Sequence, residues 1–263
     1  MSLNTNHSIY SSILNLAFLG VALVFGQPSA HAQAPAPVPT FRTLSLAGSY
    51  GGLYYEMKGN SKLLNVSLDQ GLSAYFLRPA GPTLEIFREF PVPPNSPPGT
   101  KPIRKAGLIA PIPPNVSRCL IVTIPRSSNR TDLLTTHTIP DDAKEHRAGT
   151  ILFANLSSRA SVVAVNGTQI PIAVGETKIV PCPPNSSEFL IKIALQKGNG
   201  WASVYDAEYS NNASLRGYVI FANYVADPDF KQNGIPPPAL VTAVFEMSPE
   251  IPRLVKKPAN TAK

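Results

Sequence analysis

Charge is scarce in this chain, and its beginning has none. Asp, Glu, Lys and Arg make up 15% of the 263 residues, against about 25% in typical soluble domains, and none occurs before Arg42. Residues 13–25 of this uncharged stretch are apolar except for one Asn, and the run is shorter than the ~20 residues that a membrane-spanning helix needs. It has the length of a signal-peptide core, and Ala30-His31-Ala32 supplies a small-x-small cleavage pattern. We therefore expect a signal peptide over residues 1–32, secretion to the periplasm or beyond, and no membrane anchor after cleavage.

Motifs of catalysis and cofactor binding are also missing. The sequence contains no G-x-S-x-G, no P-loop and no G-x-G-x-x-G, so neither a serine hydrolase elbow nor a nucleotide fold is indicated. Only His137 and His146 lie beyond the predicted signal peptide as candidate bases. The formal net charge of +7 comes from basic residues scattered mostly singly, without the aromatic interleaving of RNA-binding proteins. We expect no cofactor and no nucleic-acid partner.

Cysteine is limited to Cys119 and Cys182. In an oxidising compartment an even pair indicates a disulfide, which would close a loop of roughly 60 residues and contribute about 4 kcal/mol in the chain-entropy model. The alternative is two buried free thiols that behave as small apolar side chains.

Turn-forming residues are abundant, and the segments between them have the composition of strands. The 28 Pro and 17 Gly leave no long helical period after the predicted signal peptide, and Asn166-Gly167 between two apolar runs is a strong hairpin signal. Residues 91–102 are too rich in proline for a central strand. We predict an all-β fold, an antiparallel β-sandwich of Ig-like or two-sheet type. The predicted strands are Leu53–Met57, Lys62–Leu68, Ser73–Arg78, Thr83–Glu89, Cys119–Ile124, Asp132–Thr138, Thr150–Ala154, Ser161–Val165, Thr168–Ala173, Thr177–Val180, Glu188–Leu195, Ala202–Glu208, Tyr218–Ala222 and Leu240–Glu246.

Several short patterns recur at nearly constant spacing. Pro113-Pro114-Asn115 is echoed by Pro183-Pro184-Asn185, and Gly149–Asn155 by Gly217–Asn223, at offsets of 70 and 68 residues. Two repeats, 113–182 and 183–250, would explain these echoes, and chance similarity among turns and strands is the alternative. The predicted domains are a Pro/Ala linker at 33–41, a β-sandwich region at 42–250 and a basic tail at 251–263.

The strand Gly149-Thr-Ile-Leu-Phe-Ala-Asn155-Leu-Ser157, followed by a hairpin and by Val174-Gly-Glu-Thr177, resembles uncharacterised secreted β-sandwich proteins of environmental Gram-negative bacteria. The resemblance covers about residues 50–225. It implies an exported β-sandwich and carries over no activity and no functional residues.

Two groups of residues are candidate sites. His137, Asp142 and His146 offer imidazole and carboxylate ligands suited to zinc, although Lys144 and Arg147 interleave with the acids and favour a solvated loop. Trp201, Tyr205 and Tyr209 are spaced by four, so a regular strand places them on one face. They would form either a stacking platform for a ligand, centred on Trp201 and Tyr205, or a core anchor.

The absence of catalytic motifs favours a non-enzymatic exported protein that contacts an envelope protein or a cell-surface polymer. An extracytoplasmic hydrolase or carbohydrate-active module is the alternative, because two catalytic acids can come from any part of a chain. A third reading is an envelope assembly component that pairs with a partner through an edge strand near Leu240–Glu246.

Overall fold

A computed structural model describes residues 38–46, 48–57, 60–125, 134–184, 186–224 and 239–247. The predicted signal peptide, most of the predicted linker and the basic tail lie outside the described residues. All regular structure in the described ranges is β-strand. The N-terminal half contains β1 (Thr40–Ser45), β2 (Tyr50–Met57), β3 (Asn60–Leu68), β4 (Phe76–Leu77), β5 (Thr83–Phe90), β6 (Ile103–Pro111), β7 (Arg118–Pro125) and β8 (Leu134–Pro140).

The C-terminal half has the same number of strands in the described residues. They are β9 (Thr150–Leu156), β10 (Ser161–Val165), β11 (Thr168–Ile172), β12 (Thr177–Pro181), β13 (Glu188–Lys197), β14 (Gly200–Ser210), β15 (Leu215–Ala222) and β16 (Leu240–Met247). No helix in the described ranges is long and apolar enough to cross a membrane.

The strands form four four-stranded sheets, and the second pair repeats the first. Sheet A has the order β4-β1-β7-β8 and sheet B the order β3-β2-β5-β6; sheet C is β12-β9-β15-β16 and sheet D is β11-β10-β13-β14. Adding eight to each strand number converts sheets A and B into C and D. Among the described strands all pairings are antiparallel except one in each half, β1 with β7 and β9 with β15, which are parallel. The described part of the chain therefore consists of two halves of identical topology.

This repeat differs from the predicted one of about 70 residues. That offset equates β9 with β15, yet these strands are parallel neighbours within sheet C. Both are buried along nearly their whole length, and a strand covered on both faces needs a continuous apolar run. The similarity of residues 149–155 and 217–223 follows from this shared environment. The structural repeat equates β9 with β1 instead.

Three apolar clusters show how the sheets stack. Sheets A and B enclose one core around Phe41 and Ile86, and sheets C and D enclose a second around Phe153 and Ile193. A third cluster, around Leu44 and Leu152, lies between sheets A and C. The layers are therefore stacked in the order B–A–C–D. The predicted antiparallel β-sandwich is confirmed, and the chain builds two of them back to back.

The predicted hairpin at Asn166-Gly167 is present between β10 and β11, with Val165 opposite Thr168. Both turn residues have positive φ, 46° and 83°, as a type I′ turn requires. Two strands were missing from the prediction. β1 begins at Thr40, inside the predicted linker, and β6 follows the proline-rich residues 91–102, which join β5 to β6.

The predicted disulfide is wrong, because both cysteines are free. Cys119 is buried in the core between sheets A and B, whereas Cys182 packs against the core between sheets C and D. A disulfide requires Cα atoms within about 7 Å, and sheets A and C separate these two cores. Burial raises the pKa of the Cys119 thiol to about 11 and also raises the pKa of Cys182.

We expect thiol labelling to detect two free cysteines of unequal reactivity. A maleimide at neutral pH, without reductant, should modify at most Cys182 in the native protein, because the thiolate is the reactive form and Cys119 is fully buried. Both thiols should react in denaturant, as counted by mass spectrometry. A denatured, unreduced sample that takes up no label would contradict the free-thiol structure.

Candidate functional site

A dense group of polar and charged side chains occupies one end of the interface between sheets A and C. We call it the interface cluster. Its members are Arg42, Tyr75, Arg118, Asp141, His146, Arg216, Tyr218 and Glu246. Strand alternation explains their direction: Phe41 and Ile121 face sheet B, so Arg42 and Arg118, at odd offsets from them, face sheet C. Most of the cluster is buried.

One part of the cluster is a pair of arginines that share a carboxylate. Glu246 Oε1 accepts from Arg42 Nη1 at 2.7 Å and from Arg216 Nη2 at 2.5 Å and Nε at 3.1 Å. Arg42 also donates to the Ser73 carbonyl oxygen, and Arg216 donates to the Tyr75 hydroxyl. Arg42 belongs to β1 and Glu246 to β16, so this contact joins the two halves of the molecule.

The other part is centred on Asp141, which is fully buried. Its carboxylate accepts from Arg118 Nη2 at 3.2 Å and from the Tyr218 hydroxyl at 3.1 Å, and it contacts His146 Nδ1 at 2.9 Å. His146 Nε2 lies 2.9 Å from the Gly217 carbonyl oxygen. Both ring nitrogens therefore face an acceptor, the Asp141 carboxylate on one side and the Gly217 carbonyl oxygen on the other. Both contacts are hydrogen bonds when each nitrogen carries a proton.

The two parts occupy equivalent places in the two halves. Arg118 opposes Thr40 in the parallel pair β1–β7, just as Arg216 opposes Thr150 in β9–β15. Arg118 then pairs with Asp141 just after β8, as Arg216 pairs with Glu246 on β16. The topological repeat has therefore placed one arginine–carboxylate pair in each half, and the two pairs meet between sheets A and C.

The side chains of the interface cluster interact with one another, and these contacts set their pKa values. Burial alone would raise the pKa of Asp141, but the hydrogen bond with His146 and the guanidinium groups of Arg216 and Arg118 outweigh it and lower this pKa. Burial and the charge of Asp141 raise the pKa of Tyr218. The neighbouring groups thus keep the Asp141 carboxylate ionised and the Tyr218 hydroxyl protonated. The arrangement is suited to fastening two sheets together.

The depressed pKa of Asp141 predicts acid sensitivity. Because the folded-state pKa is below the ordinary value of about 3.9, the ionised carboxylate contributes stability above about pH 4, and that contribution is lost as pH falls through the folded-state pKa. Glu246 acts in the same direction, since the hydrogen bonds from Arg42 and Arg216 outweigh its burial and lower its pKa.

Urea unfolding at a series of pH values between neutrality and strong acid measures this effect. The Asp141→Asn variant should be less stable at neutral pH and lose less stability on acidification than the wild type. Asp206→Asn changes an exposed acid and serves as the matched control. Its stability should depend on pH in the same way as that of the wild type. Parallel profiles for wild type and Asp141→Asn would contradict the assignment.

The predicted metal site of His137, Asp142 and His146 does not form. Among the described residues no three His, Cys, Asp or Glu side chains come together as a metal-binding group. Both ring nitrogens of His146 are engaged within the interface cluster. The Asp142 side chain instead accepts from the Lys144 backbone N–H at 2.8 Å, within a single turn. His137 lies on β8 opposite Val122, and burial lowers its pKa.

The aromatic residues of β14 do not share a face as predicted. The pairing of β13 with β14 shifts between Ile193 and Ala194, so that Tyr205 opposes Ile193 while Trp201 opposes Gln196. This β-bulge reverses the alternation. Tyr205 and Tyr209 pack against the core between sheets C and D, and their hydroxyls contact each other. Trp201 faces outward with 55% of its surface exposed.

Trp201 stands beside an open groove at one end of sheet D. The groove has a volume of about 560 Å³ and is lined by Ser158, Arg159, Ala160, Val174, Gln196 and Lys197, with Gly198. Gln196 is the cross-strand neighbour of Trp201, and its N–H donates to the Ala160 carbonyl oxygen at 2.9 Å. Val174 is 56% exposed. An exposed aliphatic side chain and two cationic side chains thus line one concavity, and the exposed Trp201 lies on the next strand, opposite the lining residue Gln196. Together they have the composition of a ligand-binding surface.

No protein-family model matches this chain, and no curated protein is significantly similar to it in sequence. The geometry of the interface cluster and of the groove is therefore the basis for assigning a function.

Proposed function

We propose that this chain is an exported, non-enzymatic binding protein of the cell envelope, acting through contacts with a cell-surface polymer or an envelope protein. The observation that carries this proposal is the closed state of the interface cluster. Asp141 and His146 are fully buried, and Arg216 is 2% exposed. Catalytic acids and bases must reach a substrate within hydrogen-bond distance. The charged groups of the interface cluster are instead hydrogen-bonded to one another.

The stacking of the sheets supports the same proposal. One cluster of buried side chains lies between sheets A and C and ties the two halves together, and one further cluster lies within each half. Such a framework presents its outer sheets B and D, and the loops at their ends, as rigid surfaces. Rigid sheets that display exposed side chains are suited to binding, because little ordering cost is added when a partner arrives.

Export and binding are tested together by expressing the full chain with an affinity tag at its C-terminus in its native host. The expected product is extracytoplasmic and begins near Gln33. Isolation of this product from envelope extracts should recover a polymer or a protein in constant ratio. An intracellular product, or hydrolysis of an envelope polymer by the purified protein, would contradict the proposal.

One observation favours assembly through strand addition as a second candidate. Within the described residues the order of sheet C ends at β16, which pairs with β15 along its whole length on one side. An edge strand can accept a partner strand through main-chain hydrogen bonds. Recovery of one protein whose cross-links map to β16 would support this candidate, and recovery of polymer alone would argue against it.

A further inference from the structure

We propose that the groove beside Trp201 binds an anionic polysaccharide. This inference rests on the proposed binding function and specifies its ligand. The groove is lined by Gln196, the exposed Val174 and the cations Arg159 and Lys197, and we add to the site the exposed Trp201, which lies on the next strand opposite Gln196.

The length of the site is the distance from Val174 to Trp201 across the end of sheet D. Ala160 lies beside Gln196, and Gln196 opposes Trp201, while Val174 follows the strand on the other side of β10. Three strand spacings of about 4.8 Å separate the ends of this row, roughly 14 Å in all. A short stretch of a chain molecule fits this distance.

The β-bulge in β14 is the local cause of the exposed ring. In a regular strand without the bulge between Ser203 and Tyr205, the spacing of four would place Trp201 on the same face as Tyr205, in the core. Bulges often redirect a side chain next to a functional site. An exposed indole offers a ligand a large apolar surface and loses little conformational entropy on binding.

Charge identifies the class of ligand. The described residues that line the groove include two cationic side chains and no acidic one. Glu176, in the turn next to Val174, accepts from the Ala173 N–H and pairs with Lys178, so its charge is already compensated. The whole chain is basic, with a formal net charge of +7, which attracts polyanions over long range.

Size favours a polysaccharide over a protein. A stable protein interface covers about 800 Å² on each partner and has an apolar centre. Here the residues flanking Trp201 are polar and exposed, including Gln196 and Ser203. The groove volume of about 560 Å³ falls instead in the range of small-ligand sites, about 300–1,000 Å³.

Trp201 is the single tryptophan of the chain, so tryptophan fluorescence reports on the proposed site directly. Titration of the full protein with an oligomer of galacturonic acid should give a saturable change in emission that weakens as salt is raised. A neutral glucose oligomer of equal length should bind at least roughly ten-fold more weakly.

Variants separate the groove from the general charge of the protein. By calorimetry, Trp201→Ala should weaken galacturonate binding by roughly ten-fold or more, with an unchanged melting temperature because the side chain is exposed. Lys197→Gln should weaken it by a few-fold. Lys192→Gln removes a cation from the same sheet that pairs with Asp206 outside the groove, and it should leave binding unchanged.

Several results would overturn the inference: no saturable binding of the galacturonate oligomer, equal binding of the neutral oligomer, undiminished binding by Trp201→Ala, or tighter binding of an acidic peptide. If the affinity-tagged protein still recovers an envelope partner in those cases, the groove assignment alone has failed. If the bound oligomer is cleaved, the non-enzymatic function has failed and the groove assignment stands.

Discussion

Replacing Arg216 with methionine should destabilise the protein by about 3–5 kcal/mol, the usual cost of removing one member of a buried ion pair. Arg216 is 2% exposed. It contacts Glu246 through two nitrogens, the Tyr75 hydroxyl through Nη2, and Asp141 at 3.9 Å. Methionine keeps the aliphatic part of the side chain and removes the guanidinium, so that the loss combines the charge, the hydrogen bonds and the space that the guanidinium filled.

Chemical unfolding measures this loss, and an exposed pair supplies the control. Arg104 lies 2.9 Å from Glu56 with both side chains over 40% exposed, so Arg104→Met should cost no more than about 1 kcal/mol. A double-mutant cycle of Arg216→Met with Glu246→Gln should show a coupling energy of about 1 kcal/mol or more. Equal costs for Arg216→Met and Arg104→Met would show that the interface cluster does not fasten the halves together.

Gly217→Ala should also destabilise strongly, by about 1–3 kcal/mol, the range for overpacking a core. A Cβ at this position of β15 would lie 2.4 Å from Phe245 Cε1 and 3.2 Å from Ile151 Cγ2. The Phe245 ring packs against the rings of both Phe189 and Tyr209, which limits its ability to move aside. A shift of β15 would also disturb the contact between the Gly217 carbonyl and His146.

Two further variants isolate the steric cause. Gly51→Ala places a methyl group in open space on β2 and should change stability by no more than about 0.5 kcal/mol. In a Phe245→Leu background, Gly217→Ala should cost less than in the wild type, because the smaller side chain leaves room for the Cβ. Equal costs in both backgrounds would contradict the assigned contact with Phe245.

Much of the local structure was predictable from the residues. The run Thr-Ile-Leu-Phe-Ala in β9 and the turn Asn166-Gly167 were assigned correctly, because apolar β-formers and positive-φ turns are encoded within a few neighbouring residues. β1 and β6 were missed for a local reason as well. β1 places Arg42 and two threonines within six residues, and β6 contains Gly107 and carries four exposed residues at its start.

The members of the interface cluster could not be brought together from the sequence. A weak signal existed at Arg216, which lies at the edge of an apolar run. Glu246, which contacts both Arg42 and Arg216, is 204 positions from Arg42, however, and no local pattern in the intervening residues indicates that sheets A and C meet. The error in the metal prediction has the same origin in part, because the Gly217 carbonyl that contacts His146 Nε2 is 71 positions away in the chain.

Composition and short-range pattern determined that this chain is all-β, where most of its strands lie and that no familiar catalytic motif is present. The tertiary structure decided the stacking of four sheets, the separation of Cys119 from Cys182, the burial of the charged groups and the outward direction of Trp201. Strand propensity and turn geometry depend on adjacent residues, whereas sheet stacking and the register shift at the β-bulge depend on contacts between residues far apart in the chain. That shift, in the pairing of β13 with β14, turns Trp201 away from the core and towards solvent.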